Sequence, residues 1–156
     1  MTWYKYLAFS LLTVLTVLSC TRSSPVKPVN VTSGDIAIKG HDPVAYFTDR
    51  KPVKGSAAFE YLWRGAKWRF ASAEHRDRFK ADPEKYAPRY GGYCAFAVSQ
   101  GKIVDIDPEA WTVFEGRLYL NLSKDVRRLW ERDKEEHIRK ADENWPRMTP
   151  GEKGDI

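Results

Sequence analysis

A small α+β domain is what this sequence predicts, on three observations. Two strand-like runs fold back on themselves across short Gly-bearing turns, within Phe59–Phe70 and within Trp111–Leu120. Apolar residues recur at helical spacing from Val126 to Trp145. About 110 residues lie between Ile36 and Trp145, the size of one domain with one core, and five of the six Trp fall there to fill it.

Taken in order, residues 1–19 are not part of that fold. Lys5 makes a thin positive start, and Leu7 to Leu18 is an apolar run too short to span a bilayer. It ends in Val17-Leu18-Ser19-Cys20, which resembles a bacterial lipoprotein processing site, where the Cys becomes the acylated N-terminus. Several acyl chains on Cys20 would anchor stably, at about 0.8 kcal/mol per buried methylene. Arg22 stands where Asp would resemble an inner-membrane retention signal, so the expected address is the cell envelope, the outer membrane in preference to the inner. Residues 20–34 read as a flexible tether, because their Ser, Thr and Pro offer little apolar surface to offset chain entropy.

The folded part is expected to run over residues 35–146. The first hairpin turns at Arg64-Gly65-Ala66, and Ser72 then caps a helix to about Ala81, with Glu74 in its first turn. Asp82 and Pro83 start another helical turn as cap and first residue. The second hairpin turns at Glu115-Gly116. One long helix follows, capped by Ser123 and ended by Pro146, with Val126, Leu129, Trp130, His137, Ile138, Ala141 and Trp145 as its apolar stripe. Residues 147–156 read as a disordered tail.

Charge excludes little but does exclude something. The formal net charge of +5 falls to +4 when Lys5 leaves with residues 1–19, and acidic residues interleave with basic ones throughout. Arg64, Lys67, Arg69, Arg76, Arg78 and Lys80 read as a solvated surface, so no nucleic-acid partner is expected. No Ser-His-Asp arrangement, phosphate-cradling Gly loop or paired-carboxylate site is legible, and no reaction is assigned.

Three blocks in order carry a resemblance: Gly40-His41-Asp42-Pro43-Val44-Ala45-Tyr46-Phe47, Trp68-Arg69-Phe70-Ala71-Ser72-Ala73-Glu74-His75, and Asp82 to Ala95 with its Pro88-Arg89-Tyr90-Gly91-Gly92-Tyr93-Cys94. Together they resemble the YHS domain, a small module associated with metal handling, in the branch found in bacterial envelope proteins, some of them selenoproteins. The resemblance runs from about Ile36 to Trp145. The metal-binding members carry Cys where this chain has Ala45 and Ala71, which removes two thiolate ligands. Where members carry selenocysteine, the resemblance matches it to Cys94.

With Cys20 acylated, Cys94 has no intramolecular partner, and an unpaired thiol in an oxidising compartment wants a reason. One reason is burial as a small hydrophobe. Another is reactivity: Gly91-Gly92 admits a close backbone approach, and a helix starting at Ala95-Phe96-Ala97-Val98 would lower the thiol pKa. His41 and Asp42 are the accompanying candidates, since imidazole, carboxylate and thiolate together suit copper or zinc. Asp42 before Pro43 equally suits a turn former. His75 and His137 read as structural; Tyr86, Tyr90 and Tyr93 suit the lining of a pocket, though aromatics at this density more often form core and rim. Three functions stay open: a lipid-anchored module binding a metal ion or small ligand near Cys94, a single-thiol redox protein using Cys94, and a non-catalytic envelope interaction domain.

Overall fold

The computed structural model describes residues 26–149. The leader, Cys20 and the chain beyond Thr149 lie outside the described residues, as do the expectations that fall on them. The fold is α+β. Strands β1 (Val31–Thr32), β2 (Ile36–Ala37), β3 (Ser56–Trp63) and β4 (Ala66–Phe70) form one sheet in the order β1-β2-β4-β3, and β5 (Asp107–Phe114) pairs with β6 (Arg117–Asn121) in a separate antiparallel hairpin. Helices α1 (Ala45–Thr48), α2 (Ala73–Ala81), α3 (Pro83–Tyr86), α4 (Ala95–Ser99), α5 (Lys124–Glu131) and α6 (Lys134–Met148) pack around them. Among the described residues no helix is long and apolar enough to cross a membrane.

Both expected hairpins form, and their tips share one geometry. Arg64 and Gly65 have φ of 48° and 69°, and Glu115 and Gly116 have φ of 48° and 71°. Two successive left-handed residues give the tight turn whose twist matches that of the strands. The caps also fall as read: Ser72 Oγ accepts from His75 N at 3.1 Å, Asp82 Oδ1 from Lys85 N at 3.2 Å, and Ser123 Oγ from Val126 N at 3.2 Å.

The buried side chains divide into two clusters. The larger lies against the four-stranded sheet and holds Tyr46, Trp68, Phe70, Phe79, Leu118 and Leu120. The smaller lies between α4, β6 and the last two helices, around Tyr90, Val98, Tyr119, Trp130 and Ala141. Trp68 meets Phe79 at 5.1 Å between centroids, and Tyr119 meets Trp130 at 5.0 Å. Aromatics of this size contribute about 1.5–3 kcal/mol each through burial.

Three expectations are corrected. The long C-terminal helix is two helices, because Asp133 leaves helical geometry at φ −147°, ψ 50°. The break rotates the phase of the stripe: Trp130 and Ala141 are fully buried, whereas Leu129 is exposed. Pro146 does not end α6; it sits in the last turn, and the helix runs to Met148, into the segment read as tail. The supposed tether is folded at its far end. Val29 and Asn30 are buried, Asn30 N donates to Gly91 O at 2.8 Å, and Ile38 N donates to Asn30 O at 3.0 Å. Asn30 Nδ2 reaches Gly92 O and Asp105 Oδ1 as well. Gly91 permits this docking, since a Cβ there would lie 1.9 Å from Pro28 O. Composition reads a polar segment as loose, but a few backbone hydrogen bonds and one buried Val are enough to fasten it.

Candidate functional site

Cys94 caps α4 and is 1% exposed. Its backbone N donates to Val104 O, and its Sγ donates to Asn121 Oδ1 at 3.7 Å. The same Asn121 oxygen accepts from Phe96 N at 3.1 Å, so a buried amide holds both the thiol and the start of the helix. Burial pushes the Cys94 thiol above its ordinary pKa, and the N–H groups of Phe96, Ala97 and Leu122 offset only part of that. The expected helix start is present, but its five residues do not outweigh desolvation, and the expected lowering is reversed. The geometry is that of a packed hydrophobe with a weak donor.

Asp42 is also fully buried, and its role is legible in its partners. Oδ1 accepts from Val44 N at 2.8 Å and Ala45 N at 3.3 Å, capping α1; Oδ2 accepts from Ala71 N at 2.8 Å and lies 2.7 Å from His75 Nδ1. The carboxylate therefore ties α1, the end of β4 and the first turn of α2 to one point. Ala45 and Ala71 converge on it through their backbone N–H groups. The structure brings Asp42 together with His75, a residue read as merely structural. His41, by contrast, pairs with Lys54 across an isolated bridge, and its half-buried imidazole is pulled below the ordinary histidine pKa by burial first and by Lys54 second. His137 is satisfied as expected, with Nδ1 at 3.1 Å from Ser99 Oγ and its ring edge-on to Phe96.

A well-formed concavity lies elsewhere. A cleft of about 500 Å³ opens between the tips of the two hairpins, α3, the 3-10 turn Arg89–Gly92 and the last turns of α6. Trp63, Trp68, Tyr90 and Trp145 give it aromatic walls, with Ala87, Pro88, Pro146 and the N-terminal Pro28 and Val29 completing them. Charged groups stand around these walls in a fixed arrangement. Glu84 fastens both hairpin tips: its carboxylate pairs with Arg64 at 3.0 Å, and its backbone O accepts from Arg117 Nη1 at 3.1 Å. Arg64 also covers the Trp63 ring at 4.7 Å. Across the cleft Arg89 pairs with Asp142 at 2.7 Å, joining the 3-10 turn to α6, and Tyr90 Oη donates to the same carboxylate at 2.9 Å. Burial and the neighbouring Asp142 push the Tyr90 phenol well up.

Of this cleft the sequence offered Tyr90 alone, as a tyrosine suited to line a pocket. Arg64 reads as a solvated residue of a charged run, and Arg117 and Asp142 carry no motif. The other available signal was the density of Trp and Tyr beside Arg near each turn, which reads as easily as core and rim.

Residues 44–90 match the model of the YHS domain. No curated protein and no solved structure matches the chain. The matched stretch contains Ala45, Ala71, His75 and Tyr90 and stops short of His41, Asp42 and Cys94. The family is associated with metal binding, and the residues present do not fit a metal centre. Among the described residues no three His, Cys, Asp or Glu side chains gather where they could hold an ion. The Cys94 thiol is buried and hydrogen-bonded, and the Asp42 carboxylate is taken up by four donors.

Proposed function

We propose that this chain is a lipid-anchored binding module of the bacterial cell envelope, related to the envelope branch of YHS proteins, and that it holds a small organic ligand in the aromatic cleft. The observation that carries the reading is the cleft itself: about 500 Å³, aromatic-walled, with a few charged groups held in place by hydrogen bonds. Ligand sites have this size and this mixture of apolar wall and convergent polar groups. Cys94 is then a core residue, and neither a metal ligand nor a redox centre. The anchor is the acylated Cys20. Pro28, eight positions on, lines the cleft. At roughly 3.3–3.6 Å per extended residue, that spacing keeps the cleft within about 30 Å of the lipid surface.

Ligand-induced stabilisation of the full-length chain tests this, because a ligand that binds only the folded state raises the melting temperature. In a screen of small organic compounds, those that stabilise the native chain should stabilise Cys94→Ala equally. They should fail on Ala87→Phe, which fills the cleft. Compounds whose effect survives Ala87→Phe but is lost in Cys94→Ala would overturn the reading.

A further inference from the structure

We infer that the ligand of the cleft is a small anionic amphiphile, an aromatic or alkyl body bearing a carboxylate or phosphate group. The inference rests on the cleft being the ligand site and adds the ligand's charge. Among the described residues three guanidinium groups and two carboxylates line the cleft, one more positive group than negative. Their pairing shows where that excess sits. Glu84 is taken by Arg64 and Asp142 by Arg89. Arg117 donates only to a backbone carbonyl, and among the described residues no carboxylate pairs with it. Its place is nevertheless set, since it opens β6 opposite Phe114 and is tethered to Glu84 O. A guanidinium so placed, with further N–H groups to give, is suited to a forked bond with a carboxylate or phosphate.

The apolar part of the ligand follows from the walls. Trp145 and Pro88 offer surface for a ring or short chain, whereas one face of Trp63 is already covered by Arg64. Aromatic clefts often take organic cations. Here a cation would meet the uncompensated Arg117 and find part of the ring surface already occupied by a guanidinium, so the charge balance selects the anion.

Calorimetric titration of the full-length chain with three compounds sharing one body isolates the head group: 3-phenylpropanoate, 3-phenylpropanol and 3-phenylpropylamine. The acid should bind at least tenfold tighter than the alcohol, and the amine weakest. Arg117→Gln, an exposed change, should bring acid and alcohol to within about twofold, whereas Glu84→Gln, which removes one negative charge from the cleft lining, should tighten the acid further. Equal or tighter binding of the alcohol or amine, abolished by Ala87→Phe, would overturn the anionic class and leave the cleft standing. Binding indifferent to Ala87→Phe, or no binding by any of the three, would overturn both. Displacement of the acid by dihexanoyl phosphatidylglycerol, but not by dihexanoyl phosphatidylcholine, would uphold the class with a lipid as source. Failure of both lipids to displace bound acid would uphold it with a soluble anion.

Discussion

Cys94 sits where water does not reach, and its chemistry follows from that. Its thiol pKa is raised by burial, so the contribution this group makes to stability is complete below the ordinary thiol value and is lost as pH rises through the folded value. In the native chain Cys94 should therefore stay inert to a disulfide reagent at pH 8 and react promptly in denaturant. Cys94→Ala should cost about 1 kcal/mol, the scale of a small buried group, and leave ligand-induced stabilisation unchanged. His41 has the opposite dependence. Its pKa is lowered in the fold, so its contribution is present above the ordinary histidine value near 6.5 and disappears as pH falls through the depressed one. The melting temperature should drop on acidification from pH 7 to 5, and His41→Gln should flatten that drop. A profile equally steep in the variant would place the titration elsewhere. Asp42 shows how far residue identity alone could be read: as a turn former before Pro it was legible, but its bond to His75 needed the fold.

Among the elements, those stabilised within a few residues of themselves are the ones legible in the sequence. The hairpin tips at Arg64-Gly65 and Glu115-Gly116 and the caps at Ser72, Asp82 and Ser123 are local devices, and all form where read. The break between α5 and α6 was not legible because Asp133 has no Gly or Pro beside it to mark a stop. The N-terminal segment misleads for another reason: its partner, Gly91, lies some sixty positions away. That contact is testable. Gly91→Ala puts a Cβ against Pro28 O and places alanine at φ +58°, so the segment from Pro28 to Thr32 should detach. Hydrogen exchange at Asn30 N and Ile38 N should then accelerate at least tenfold, while exchange in the second hairpin keeps its rate. Unchanged exchange at Asn30 would mean that Gly91 is not what fastens the segment.

For the whole molecule the sequence left the site illegible, since the cleft draws on five separate stretches, 28–29, 63–68, 84–91, 117 and 142–149. The Arg89–Asp142 pair alone spans 53 positions, and periodicity carries no information over such separations. The same scale includes the anchor. Mass spectrometry of the N-terminal peptide from envelope-expressed protein should find acylated Cys20 as the first residue, and an intact residue 1–19 segment would remove the anchor from the account. The central claim, that the cleft and not Cys94 is the ligand site, is tested most directly by residue-resolved NMR of the full-length chain under two parallel titrations, one with 3-phenylpropanoate and one with zinc. Saturable shifts are expected at Trp63, Arg117 and Trp145 with the organic anion, and none at Cys94, His41 or Asp42 with the metal. Saturable zinc-dependent shifts at those last three residues, with a cleft silent to the anion, would contradict the claim.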